Sequence, residues 1–152
     1  MTLRPAPRWF IDNLARVHVT SEETGGSSAL VEIEGRQGDM PPLHVHHRDD
    51  ETFFVLEGTL TLFQPNAKVV LEAGSAFRAE KGIPHVYRVD SPTARWLGFS
   101  EPGGFDTFVL RASVPAEVDE LPPPGRPQDP EALAAAAASE GIELLGPPGT
   151  LP

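Results

Sequence analysis

Residues 38–58 read GDMPPLHVHHRDDETFFVLEG, and this stretch decides the fold. It carries His44, His46 and His47, three of the five histidines in the chain. Pro41 and Pro42 exclude helix before His44, because proline has no amide proton and its ring clashes with a preceding helical turn. The His-Val-His alternation then predicts a strand with His44 and His46 on one face. His47 falls on the opposite face, toward solvent or behind the first two. Arg48-Asp49-Asp50 reads as a solvated polar turn. Glu51 opens a second apolar strand, and if that strand folds back on the first, its carboxylate meets the two imidazoles. Two imidazoles and one carboxylate form a donor set of borderline hardness, suited to a divalent ion that also accepts small-molecule ligands.

Phe53 and Val55 share the face of Glu51, while Thr52, Phe54 and Leu56 share the other. Both faces are apolar, so both are expected to be buried, the second under another layer or a partner. Further short strands are expected over residues 29–33, 69–71, 75–79, 86–89 and 95–99, with Gln64-Pro65-Asn66-Ala67 as a hairpin loop. Val17 and Val19 flank His18, which is expected on a surface. Short strands with Gly/Pro punctuation indicate a sandwich or barrel rather than βαβ units. Gly82-Ile83-Pro84 forms a tight turn that sets His85 at the start of a strand, where His85, Tyr87 and Val89 share a face. His85 is thus the fourth candidate ligand. Three imidazoles and one carboxylate leave two positions of an octahedral ion open, as Lewis-acid or O2 chemistry requires.

The 152 residues suffice for one domain with a core. A net charge of −10 disfavours a phosphate backbone as partner, so nucleic acid is not expected. Cysteine is absent, which removes disulfides, thiolate metal sites and a cysteine nucleophile. No apolar run approaches membrane-spanning length and the basic N-terminus has no apolar leader core, so no membrane partner is expected and the reading is a cytoplasmic protein.

The expected organisation is a β-barrel domain over 1–113, with an N-terminal arm at about 1–8, followed by a C-terminal arm over 114–152. Nine of the 17 prolines lie beyond residue 113. LPPPGRP reads as a polyproline linker. A short Ala-rich helix is expected at about 129–140, capped by Asp129, with Pro130 in its first turn and Gly141 ending it. Leu133, Ile142, Leu144 and Leu145 would then fill a groove on the outside of the sandwich, in the same or a paired subunit, away from the metal.

The order Gly38-x5-His44-x-His46-x4-Glu51-x6-Gly58 resembles the first motif of the cupin family without a gap. Gly74, Gly82 and His85 fit the second motif, although Glu80 stands where the family has proline and Val89 where it has asparagine. The chain looks most like small single-domain bacterial cupins related to quercetin dioxygenases. The resemblance implies an all-β double-stranded β-helix, or jelly roll. It implies one divalent transition metal per chain (Fe, Ni, Mn, Co, Cu or Zn), held by His44, His46, Glu51 and His85. Glu51 would double as the catalytic base. Phe53, Val55, Phe77 and Tyr87, together with Val89, Trp96 and Phe99, are the expected substrate pocket. The implied activity is a dioxygenase acting on a small enol or phenolic substrate that chelates the metal. The alternatives are a non-catalytic metal- or small-molecule-binding cupin, or a cupin isomerase or decarboxylase. A homodimer is expected.

Overall fold

The structure, a computed structural model, describes residues 3–152. Met1 and Thr2 of the expected N-terminal arm lie outside the described residues. Ten strands come first: β1 (Arg8–Phe10), β2 (Asn13–Val19), β3 (Ala29–Arg36), β4 (Pro42–His46), β5 (Asp50–Glu57), β6 (Thr59–Gln64), β7 (Ala67–Glu72), β8 (Ala76–Ala79), β9 (Val86–Val89) and β10 (Thr93–Glu101). Helix α1 (Phe105–Ala112), β11 (Ser113–Pro115), α2 (Pro130–Ser139) and β12 (Ile142–Pro148) complete the chain. One layer is a seven-stranded sheet in the order β11-β1-β2-β3-β10-β5-β8. The other contains the ladders β7-β6-β9 and β12-β4, which a bridge between His44 and His85 joins edge to edge. This is the expected jelly-roll architecture, with every ladder antiparallel.

Alternation in the sequence becomes alternation in burial. Along β3, ALVEIEGR, every second residue is buried from Ala29 to Gly35. Along β10 the buried set is Ala94, Trp96, Gly98 and Ser100. Trp96 and Phe53, at 1% and 2% exposure, are among the largest side chains in the core. Burying each such side chain is worth about 2–3 kcal/mol. Gly58 separates β5 from β6 at φ +78, and a Cβ there would collide with the Thr93 carbonyl. Only glycine fits both the left-handed backbone and the close approach.

Several expectations change. First, helix α1 fills residues 105–112, where the sequence pattern names no element. Phe105, Phe108 and Val109 are spaced for one helical face and are buried, and Phe108 packs edge-on against Phe10 at 5.3 Å between centroids. Second, the face bearing Thr52, Phe54 and Leu56 is not covered within the chain. Phe54 is 40% exposed, and Thr52 and Leu56 are half-buried. Third, the polyproline stretch is fixed in place. Trp9 Nε1 donates to the Glu120 carbonyl at 2.9 Å and Arg36 to the Pro122 carbonyl at 2.8 Å, while Arg16 pairs with Asp119.

Helix α2 begins as expected: Asp129 Oδ1 accepts the Glu131 and Ala132 amides, both at 3.1 Å. The arm beyond it does not lie on the outside of the sandwich. Strand β12 pairs with β4, the strand that holds His44 and His46. An edge strand with unpaired amides is a stronger dock than an apolar outer groove, because it satisfies backbone groups as well as side chains. Among the described residues, no helix is long and apolar enough to cross a membrane.

Candidate metal centre

Strand alternation aims His44 and His46 to one side of β4. Glu51 is the second residue of β5, held between Ser100 of β10 and Ala79 of β8. His85 is carried to His44 by paired backbone hydrogen bonds of 2.9 and 3.3 Å. The preceding turn is tied down by the Gly82 amide, which donates to the His46 carbonyl at 2.7 Å, with Gly82 at φ +82. The four side chains converge, and one potential ligand atom from each lies within 4.8 Å of all the others. His46, Glu51 and His85 are buried and His44 is half-buried.

The ring nitrogens are sorted by their partners. His44 Nδ1 donates to the Pro42 carbonyl at 2.8 Å, which leaves Nε2 for the cluster. His46 Nδ1 donates to Asp49, whose two carboxylate oxygens lie at 3.0 and 3.1 Å. His46 Nε2 is buried without a well-directed hydrogen bond, although Glu51 Oε2 lies 3.2 Å away. Glu51 Oε2 also accepts from His85 Nε2 at 3.1 Å. Buried polar nitrogens without directed partners are costly in a protein interior and are what a bound cation satisfies. Donor types, spacing and orphaned nitrogen together fit a divalent transition ion.

The electrostatics agree. Burial pushes His44 down to about 3, helped by its neighbours His85 and His46, so it stays neutral and able to ligate. Burial acts to lower His46 as well, but Glu51 and Asp49 overcome it and raise His46 to about 10. Burial acts to raise Glu51, but His46 and His85 hold it well below the usual carboxylate range. The ion-free cluster is therefore a buried imidazolium–carboxylate pair beside a neutral imidazole.

Asp49 departs from the expected solvated turn. It is 3% exposed and orients His46, whereas Asp50 does face outward, bound to Arg78 and the Lys81 amide. A carboxylate on the far nitrogen of a ligating histidine fixes its tautomer and strengthens it as a donor. The available signal was an Asp three residues after a candidate ligand. His47 is exposed and pairs with Glu143 at 2.8 Å. His18 pairs with Glu32 at 2.7 Å, well apart from the cluster in the sheet.

A cavity adjoins the cluster and is bordered by His44, His46 and Glu51. Of the expected pocket residues, Phe53, Tyr87 and Trp96 border it, and Val55, Phe77, Val89 and Phe99 do not. Val55 and Val89 are sealed in the core, and Phe77 packs against it from β8. Phe99 is out of phase with Trp96 and so lies on the other face of β10. Phe10, Phe105 and Phe108 take the places of these four in the wall, and the arm adds Leu133, Ile142 and Leu144. The Tyr87 hydroxyl donates to Asn13 Oδ1 at 3.1 Å, and burial keeps the phenol from ionising. Among the described residues, no lysine or arginine borders the cavity.

Residues 30–98 match the family model for the cupin domain. Over 134 residues the chain is 30% identical to quercetin 2,3-dioxygenase of Bacillus subtilis, a match covering 88% of this chain and 38% of that protein. The chain thus spans well under half the length of that relative. A predicted oxalate decarboxylase from Thermotoga maritima superposes with a TM-score of 0.59 at 14% identity, over 65% of this chain and 93% of the other. KdgF from Halomonas sp. superposes with a TM-score of 0.57 at 19% identity, over 63% and 85% respectively. These two structures are alike in fold.

Proposed function

We propose that this chain, which belongs to the cupin superfamily, is a metal-dependent dioxygenase acting on a small enol or phenolic compound that chelates the ion through oxygen. The observation that carries this reading is the cluster of His44, His46, Glu51 and His85 opening onto an aromatic cavity that, among the described residues, no lysine or arginine lines. When bound, a divalent transition ion supplies Lewis acidity toward a chelating enolate and a partner for O2.

The chain's own residues do the rest. His44, His46, His85 and Glu51 would hold the ion, and Asp49 keeps His46 oriented. Glu51 is the carboxylate placed to take the proton from the chelating hydroxyl when it loosens from the ion. Phe10, Phe53, Trp96 and Phe105 offer apolar surface to a flat ring and keep water from the reacting carbon. Tyr87 stays a neutral wall, its hydroxyl engaged by Asn13.

The identity with the Bacillus subtilis dioxygenase supports the same reaction class. A decarboxylase or isomerase of a small anionic acid is less well served, because among the described residues no lysine or arginine lines the cavity to meet a carboxylate. A binding role without turnover is favoured by one observation: with Tyr87 engaged, the cavity offers no second free proton-transfer group. Iron-, nickel-, manganese- and cobalt-loaded protein should be assayed in an oxygen electrode against flavonols, small phenols and β-diketones. Oxygen uptake that depends on both ion and substrate is expected. Chelate formation without uptake for every ion would leave the binding role.

We also infer a homodimer that covers Phe54 and Leu56, since an uncovered apolar sheet face is an association surface.

A further inference from the structure

The cupin-domain match ends at residue 98, yet part of the cavity wall comes from residues 133–144. The ladder between β12 and β4 sets Ile142 opposite His46 and Leu144 opposite His44. Residues directly opposite in an antiparallel pair put their side chains on the same face. Ile142 and Leu144 therefore stand beside the two imidazoles and face the cavity, while Glu143 and Leu145 face away. Burial follows this division: Ile142 is 3% exposed and Leu145 is 41% exposed. Leu133 reaches the same cavity from α2.

The arm is anchored at several points. The His47 amide donates to the Gly141 carbonyl at 2.8 Å, Arg48 to the Ser139 carbonyl at 3.2 Å, and Arg111 to Ser139 Oγ at 2.6 Å. A wall fixed by both backbone and side chains discriminates by shape, since it resists displacement by a ligand that does not fit.

We propose that the C-terminal arm is the specificity wall of the metal centre: Leu133, Ile142 and Leu144 set how large an apolar substituent is accepted beside a metal-chelating head. The inference rests on the reading of the cluster as a metal centre. The selected ligand is an uncharged oxygen chelator with an apolar body, and the discriminating part is that body.

The test uses cobalt-loaded full-length protein and two probes, a single-ring hydroxypyranone and a flavonol carrying a phenyl substituent. Binding is followed by the visible absorption of the ion, without turnover. Leu144→Ala should strengthen flavonol binding by about tenfold and leave the hydroxypyranone within about twofold. Leu144→Trp should weaken flavonol binding by about tenfold with the same small effect on the hydroxypyranone. Leu145→Ala, on the outward face of the same strand, should change neither. If both Leu144 variants fold, hold cobalt and keep the wild-type ratio between probes, the proposal is wrong. It is equally wrong if Leu145→Ala shifts the ratio as much, because the arm would then act through docking alone. Wild-type protein that takes up no cobalt would instead overturn the metal-centre reading, and this inference with it, before any probe is added.

Discussion

Replacing Asp49 by Asn removes one negative charge and almost no volume. Its oxygens lie 3.0 and 3.1 Å from His46 Nδ1, so a single N–H is shared between two carboxylate oxygens in a buried setting. A hydrogen bond to a charged group is worth about 1.5–3 kcal/mol, and a neutral amide that still accepts through its carbonyl keeps about half of that. The remaining loss, about 0.8–1.5 kcal/mol, falls on the donor strength and orientation of His46. It corresponds to a metal Kd raised about 4- to 12-fold, reaching the low end of the range seen when the outer partner of a ligating histidine is lost. Competition against a chromophoric chelator at fixed pH reads this directly. Asp50→Asn is the matched control, since Asp50 holds Arg78 and the Lys81 amide and touches no ligand. Its Kd should stay within about twofold of wild type. Equal Kd values for Asp49→Asn and wild type, or equal losses for both variants, would refute the reasoning.

Other outcomes follow from the same geometry. His46, raised to about 10, carries a proton in ion-free protein at neutral pH, so metal uptake must release it. Calorimetry in two buffers of different ionisation enthalpy should show about one proton released per ion, and no release would contradict the assignment. In ion-free protein the raised His46 stabilises the fold fully below its ordinary value of 6.5 and ceases to as pH rises through about 10. The depressed Glu51 stabilises above its ordinary value of 4.5 and ceases to as pH falls below it. These are two halves of one interaction, and the lowered His44 costs stability as pH falls below its ordinary 6.5, so the ion-free melting temperature should be highest near pH 6.5 and fall on both sides. Gly58→Ala should cost about 2–4 kcal/mol in chemical denaturation, from left-handed strain plus collision with Thr93; a cost under about 0.5 kcal/mol would show that the turn relaxes freely. Sedimentation should give a dimer at micromolar concentration that Phe54→Arg dissociates, and a wild-type monomer would remove the inferred interface.

The barrel was legible because its signals are local. Period-two patterning in β3 and β10 needs no tertiary information, and neither does a histidine pair two residues apart in an extended segment. The convergence of His44, His46, Glu51 and His85 was legible from the spacing of two motifs, whose bracketing glycines fix the turns. Asp49 was missed because alternation fails in a turn, where the chain direction rather than the strand pleat decides which carboxylate points inward. Val55 and Phe99 were misplaced for related reasons. A shared strand face says which side is buried, but not how far along it the cavity reaches, and Phe99 sits one residue out of phase with Trp96. The arm was legible as a capped helix followed by an apolar segment. Its docking place was not, because pairing with β4 depends on an edge that exists only once the second layer is built.

The most direct test of the metal centre is the metal content of protein purified without chelator, measured on wild type and on the His46→Ala/His85→Ala double variant. The account predicts close to one divalent ion per wild-type chain and almost none in a double variant that still folds. Full occupancy in the double variant would place the ion elsewhere and contradict it.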